Sequence, residues 1–536
     1  MSKPQVLENS TGTVEGRWTK FDSSRKQHLD RCIVCSELTI PSLLPRPDIK
    51  ENDTLPTPFQ SLGARAVNNL AAKLLLALFP PNTPFSRLDV DSQIIEELKQ
   101  HLSDKGFKQK VEKQLRRYET IIVKEFEILA LRTKMFKALR LLVATGNGLL
   151  ELLNDDKVKI YRLDKYIVRR SPDGMVKEII IKEGITPDDI PQAVAQNPSV
   201  QNYKSADGTE DKNIHLYTQI IWRDDKYNVH QELLGVTVPD SEATYPKDKL
   251  PWLPLCWTLN DGENYGRGHV EENLGDFVAY DSLSESLLDG AAAAAFLVLF
   301  LKPNCTTNLN DVKNARNGQW VEGNEDDIGV LRLDKLHDFK FAFEQSKEIE
   351  GRISRAFLLN ESIQRQAERV TAEEIRYMAQ QLEDTLGGIY SILGVDLQRP
   401  LTVLLMANLQ KKQKLPSLPE DVTITITTGF EALGRGHELQ KLREFRDEVV
   451  AMGQATQQPD IITMYIGMSN YFTRVANAIG LDTDGLVPDE KEIKILQDQK
   501  KVYEQMMNLI NTKVAGNISK GMVDQAVDQG GKKDGS

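Results

Sequence analysis

ERVTAEEIRYMAQQLEDTLGGIYSIL, Glu368 to Leu393, carries a long helical apolar pattern behind a polar start. Ile375, Met378, Leu382, Leu386, Ile389 and Leu393 follow one another at steps of three and four, which lays one apolar stripe along a helix. Thr371 precedes the stripe and Glu374 stands three residues on, the spacing of a capping box in which two side chains satisfy free backbone donors. Gly387-Gly388 interrupts the stripe, and each glycine costs about 1 kcal/mol relative to alanine inside a helix. The pair therefore predicts a kink or very close packing. Ahead of the helix, Glu361 to Val370 is a polar bridge. Its Gln364, Arg365, Gln366, Glu368 and Arg369 combine amides and guanidinium groups without an aromatic stacking platform. Such a loop can touch phosphates in a salt-sensitive way but cannot read bases well. An ordinary exposed linker is the plain alternative.

Upstream lie two further helical patterns. Val270, Leu274, Phe277 and Val278, continued by Leu283, Leu287 and Ala291, predict a helix from about His269 to Ala295. Ile349, Ile353 and Phe357, spaced by four, predict a second from about Phe343 to Leu359. Between them LVLFL, GQWVEG and VLRL read as short strands around a compact polar loop, so the pattern is a stalk with a small domain at its tip. On the first stalk helix Asp281, Glu285 and Asp289 share one side. Like charges at this spacing cost ~0.2–0.5 kcal/mol per pair. The stripe is either a solvated face, an acidic wall that repels DNA phosphates, or a face meeting basic residues of a neighbouring subunit. Lys347, Arg352 and Arg355 on the second helix are natural partners for the last of these. Lys302, Lys313 and Arg316 in the tip could line a pore or bind a partner, and their spacing does not decide which.

The remainder of the chain mixes helix and strand. Residues 15–155 read as mostly helical, with Val67, Leu70, Leu74 and Leu78 on one face of a helix over Arg65–Phe79 that Pro80-Pro81 stops. VKIYRL and VKEIII then read as strands, with a turn at Ser171–Gly174. HLYTQIIWR and YNVHQELLGV flank Asp224-Asp225-Lys226 as a hairpin. Pro400 is expected to start the next helix; VTITIT, ending at Thr427, is strand-like, and Leu439, Leu442, Phe445 and Val449 share a later helix face. The final GMVDQAVDQGGKKDGS is expected to be disordered. The fold class is α+β, predominantly helical.

Composition narrows the function. The 536 residues carry a formal net charge of -11, so no global basic field draws in nucleic acid, and a sequence-specific DNA binder is a poor fit. The first residues lack a secretory pattern, and the apolar run Leu70–Phe79 is shorter than the ~20 residues a membrane span needs. Cys32 and Cys35 form one C-x-x-C pair, while Cys256 and Cys305 stand alone; a zinc site needs four ligands, so free thiols are expected. A phosphate-binding G-x-x-x-x-G-K-[ST] loop, an H-E-x-x-H motif and a G-x-S-x-G elbow are all absent. Neither catalytic residues nor a metal or cofactor is expected. Gly266-Arg267-Gly268 and Gly434-Arg435-Gly436 read as flexible turns, each with a solvated arginine.

Seven segments, in order, resemble the portal (head-to-tail connector) proteins of short-tailed bacteriophages: LTIPSLLP (38–45), QSLGARAVNNLAAKLLLALFP (60–80), GNGLLEL (146–152), DGENYGRGHVEENLGD (261–276), QRQAERVTAEEIRYMAQQLEDTLGGIYSIL (364–393), TTGFEALGRGHEL (427–439) and RVANAIGLD (474–482). The longest is the specific one. The resemblance implies a ring, usually of twelve subunits, with a central DNA channel. It makes residues 1–265 and 372–430 the wing, 266–295 and 337–360 the stem helices, 296–336 the clip, 361–371 the tunnel loop and 431–500 the crown. Residues 501–536 match no family motif and are left as a partly disordered tail. Implied partners are the terminase large subunit, tail adaptor and tail tube proteins, major capsid and scaffolding proteins, and double-stranded DNA held non-specifically in the channel. Arg365 and Arg369 with Gln364 and Gln366 would then face DNA, and Lys302, Lys313 and Arg316 would meet the motor or adaptor. The implied location is the capsid portal vertex of the virion, after assembly in the host cytoplasm. An enzyme of the packaging machinery and a non-viral scaffold subunit are the competing classes.

Overall fold

The computed structural model describes most of residues 12–479, apart from 91–106, 191–193, 195–213, 360–371, 416–423, 428–434, 457–465 and the shorter stretches 51, 82–83, 154–156, 187–188, 296–297, 304–306, 332–335 and 387. Beyond these it describes positions 498, 501 and 505. The chain divides into two compact units, Met1–Ala432 and Leu433–Ser536.

In the first unit the helices are α1 (Val14–Glu37), α2 (Leu62–Leu78), α3 (Phe107–Ile128), α4 (Leu131–Thr145), α5 (His269–Glu272), α6 (Leu274–Ala295), α7 (Leu309–Asn314), α8 (Leu336–Ala356), α9 (Ala372–Leu386), α10 (Ile389–Leu393) and α11 (Arg399–Lys411). The strands are β1 (Arg87–Val90), β2 (Asn147–Leu152), β3 (Val158–Tyr161), β4 (Tyr166–Arg170), β5 (Val176–Ile185), β6 (Ile214–Arg223), β7 (Lys226–Leu233), β8 (Val236–Thr237), β9 (Ala243–Tyr245), β10 (Trp252–Cys256), β11 (Val298–Leu301), β12 (Ile328–Leu331) and β13 (Ile424–Thr427).

The largest sheet runs β4-β5-β6-β7-β8, with β9 also on β7, and every pairing is antiparallel. The β6–β7 turn is the expected one. Asp224 and Asp225 both take positive φ, 51° and 58°, as a two-residue hairpin turn matched to strand twist requires. One face of the sheet carries α1. The Glu232 carboxylate accepts from Val14 N at 3.0 Å, filling the anion place at the helix start, and Arg17 grips buried Glu178 at 2.5 Å. β4 was not anticipated by the sequence reading; Ile167 and Val168 bury in it and pair with β5.

α2 forms where the spacing predicts it, with Val67, Leu70, Leu74 and Leu78 all fully buried. The long stripe of the opening quotation is buried at Met378, Leu382, Leu386, Ile389 and Leu393. It does not merely kink. Gly388 adopts φ 91°, so α9 stops and α10 begins afresh. Thr371 lies outside the described residues. Pro400 does not open a new helix either. Helix runs on from Ile389 to Lys411 through a π-helical turn at Gly394–Gln398, which accommodates a ring that lacks an N–H and crowds the preceding turn. This run is apolar enough to cross a membrane by length and composition. It is a core helix instead: Leu393, Leu397, Leu401, Leu405 and Leu409 are all fully buried.

In the second unit, α12 (Arg435–Ala455) and α13 (Met468–Ile479) pack together. Of the face expected on α12, Leu442 and Val449 are half-buried but Phe445 is exposed. Gly434 and the final sixteen residues lie outside the described residues.

Candidate functional site

α6 and α8 form the antiparallel stalk the sequence implies. Gly290 of α6 meets the Phe339 ring of α8 so closely that an added Cβ would fall 2.1 Å from ring carbon Cε1. Lower down, Asp276 accepts from Arg352 at 2.9 Å, and Phe277 lies edge-on to Phe357 at 5.4 Å. Phe277 and Phe357 are fully buried, each burial worth about 1.5–3 kcal/mol.

The first stalk helix is not continuous from His269. It breaks at Asn273, whose side-chain amide donates to the His269 carbonyl at 2.9 Å and offers the backbone a turn in place of the helix. Leu274 then starts α6.

Gly266-Arg267-Gly268 is not a flexible turn. Gly146 ends α4 in the left-handed conformation, φ 74°, and its backbone crosses this triplet directly. A Cβ on Gly146 would sit 2.3 Å from the Arg267 carbonyl carbon; one on Gly268 would sit 2.7 Å from Gly146 N. Asn147 locks the crossing with both ends of its amide: Nδ2 donates to Gly266 O at 2.7 Å and Oδ1 accepts from Gly266 N at 2.8 Å. Nor is Arg267 merely solvated. It pairs with Glu263 at 3.1 Å and Glu271 at 3.4 Å, and Glu271 also takes Arg31 at 3.4 Å. The Arg267 hydrogen bond holds the Glu263 carboxyl below its ordinary pKa.

The other stalk helix is anchored at its exit. Leu358 takes φ 53° where glycine is the usual occupant, at a cost of about 1–2 kcal/mol. Leu359 N donates to Ser354 O at 2.8 Å and Leu358 N to Arg355 O at 3.3 Å, the paired bonds of a Schellman termination. Side chains hold the next three carbonyls. His269 Nε2 bonds Ala356 O at 3.1 Å, Asn69 Nδ2 donates to Phe357 O and Leu358 O at 3.1 and 2.9 Å, and Lys73 Nζ donates to Leu358 O at 2.5 Å. Asn69 and Lys73 stand four apart on α2, hence on one line of that helix. Burial lowers the Lys73 pKa.

The tip is a two-stranded β11–β12 ribbon with α7 between its strands. GQWVEG is not a strand: Gln319 N closes a turn on Arg316 O at 3.0 Å, and Gly318 takes φ 85°. Lys302, Lys313 and Arg316 are all exposed, as are Glu285 and Asp289 on the stalk. Asp281 is half-buried, and its Oδ1 accepts from Phe59 N at 2.8 Å. Arg352, offered as a partner for a neighbour's acids, is already engaged by Asp276 within the chain. Gln364, Arg365, Gln366 and Arg369 lie outside the described residues. Among the described residues no cluster of three or more His, Cys, Asp or Glu side chains could hold a metal. Cys32 and Cys35 are buried free thiols whose pKa values burial raises, and Cys32 Sγ donates to Thr145 O at 3.1 Å.

The model of the bacteriophage head to tail connecting protein family matches residues 11–487. The chain belongs to that family. It is 37% identical over 537 residues to the portal protein of Escherichia phage T7, covering 97% of this chain and 96% of that one. It is 36% identical over 498 residues to the portal protein of Enterobacteria phage T3, covering 90% of each. Among solved structures, a chain in the neck of an empty GTA particle aligns at a TM-score of 0.35 and 12% identity, over 79% of this chain and 90% of that one. The protein is thus a phage portal, a structural, homo-oligomeric connector of the virion at the vertex where head meets tail. Seen as a connector, its Gly146–Asn147 and Gly266–Gly268 crossing fixes where the stalk leaves the body. Both halves of this joint stand in resembling segments, yet only the fold brings them together.

Proposed function

We propose that copies of this chain close into a ring, with twelve the expected number, whose central channel passes double-stranded DNA. A separate terminase motor drives the DNA in; the ring then retains it and releases it through the tail. In this reading residues 1–265 and 372–430 form the wing, α6 and α8 the stem, residues 296–336 the clip, 361–371 the tunnel loop and 431–500 the crown. The carrying observation is the stalk itself. Both of its roots are bonded into the body, while Lys302, Lys313 and Arg316 at its tip stay exposed for the motor and later the tail adaptor. Arg365 and Arg369, with Gln364 and Gln366, give DNA brief phosphate contacts. Glu285 and Asp289 add negative charge that a ring multiplies, which discourages sticking. Capsid and scaffolding proteins would surround the wing during assembly in the host cytoplasm.

Negative-stain microscopy of the purified chain tests the ring, with closed rings around a central hole expected. Monomers would contradict it. Neutralising Arg365 and Arg369 together tests the loop: weakened packaging or retention is expected, and unchanged DNA content in filled heads would count against DNA contact.

A further inference from the structure

We propose that Asn69 and Lys73 are positioning residues for the exit of α8, fixing the direction in which the chain leaves the stalk at Leu358. The inference rests on the reading of residues 361–371 as the tunnel loop, but concerns the support rather than the contact with DNA. α8 ends on Leu358 in a left-handed conformation that its side chain disfavours, so local preference does not choose this exit. The choice comes from α2. Asn69 and Lys73 together place three donor bonds on the Phe357 and Leu358 carbonyls at the helix exit, at 2.5–3.1 Å, inside a site where Leu358 is 5% exposed. Lys73 itself is 6% exposed, with buried Leu70 and Ala77 beside it on α2. Among the described residues no carboxylate pairs with it. A buried ammonium that serves only a backbone carbonyl is a costly way to stabilise a helix end, since methionine would pack there at far lower desolvation cost. It is a good way to fix a direction, because the cation favours the negative end of the helix and turns Leu358 O toward α2. The neighbouring bond from His269 adds the same constraint from the first stem helix, so loop, stem and body share one junction.

The test uses full-length rings and packaged heads carrying Lys73→Met, with Asn69→Leu as the second variant should Lys73→Met fail to form rings. Hydrogen exchange of the backbone amides of the 357–359 segment, which close the helix end, reads the exit directly, and DNA retained in heads reads the consequence. Either variant should keep rings, raise exchange in that segment roughly 10-fold, as loss of a charged hydrogen bond implies, and lower retention. Leu358→Gly with Lys73 intact, which keeps the clamp and relieves the backbone, should leave retention unchanged. Wild-type exchange in both variants would overturn the proposal whatever the DNA result. Faster exchange with full retention in them and in an Arg365→Ala/Arg369→Ala ring would keep the positioning role and overturn the DNA-contact reading instead.

Discussion

The root of the stalk and its tip are built on opposite plans. At the root, Gly146 and Gly268 leave no room for a side chain, Asn147 spends both ends of its amide on Gly266, and three side chains hold the carbonyls that end α8. At the tip, Thr307 is buried, donating to Asp327 at 2.9 Å and accepting from Asn324 N at 2.9 Å, while Trp320 is 98% exposed and Phe300 55%. A connector that transmits load from a tail into a head needs the first arrangement. On the proposed reading of the tip as the clip, an end that meets a motor and later an adaptor needs the second. The molecule thus concentrates its steric and hydrogen-bond constraints where the stalk enters the body and leaves apolar surface open where another protein can cover it.

Four substitutions break or sharpen this contrast. Gly146→Ala should be the most damaging, since it meets backbone atoms at 2.3 and 2.4 Å in a left-handed conformation; a loss of about 3 kcal/mol or more is expected in thermal or denaturant unfolding. Asn147→Ala strands a buried N–H and C=O of Gly266 and should cost about 2–3 kcal/mol, read the same way. Gly290→Ala, toward the tip end of α6, meets only the edge of the Phe339 ring, which can move, so about 1 kcal/mol and intact rings are expected by melting and microscopy. Trp320→Ala should leave stability within about 0.5 kcal/mol while weakening binding of the tail adaptor in a pull-down with purified rings. Were the tip variant as destabilising as the root variants, the contrast would be lost.

Periodicity recovered what is local. The stripes of α2 and α8, the hairpin at Asp224–Asp225 and the helix break at Gly388 are all properties of a few adjacent residues, and the fold keeps them. The joint was unreadable for a physical reason. Gly146 and Gly268 look like two loop glycines until backbones some 120 residues apart are brought together, and only the contact reveals why neither tolerates a Cβ. Leu358 gave no signal at all, because nothing about a leucine announces φ 53°; the information lies in Asn69 and Lys73, far back in the chain. In the sequence Lys73 is an ammonium set among Leu70, Ala71, Ala72, Leu74 and Leu75, and that oddity is the one trace of its task. Asn273 was likewise hidden inside an unbroken apolar pattern, since periodicity registers faces and not local side-chain bonds.

The most direct test of the contrast is hydrogen exchange on assembled rings without motor or tail proteins, comparing amides at residues 146–148, 266–272 and 353–359 with those at 298–331. The root amides should exchange slowest, close to the limit set by global unfolding, and the tip amides at least about 100-fold faster. Equal protection in the two regions, or faster exchange at the root, would contradict an anchored stalk with an open tip.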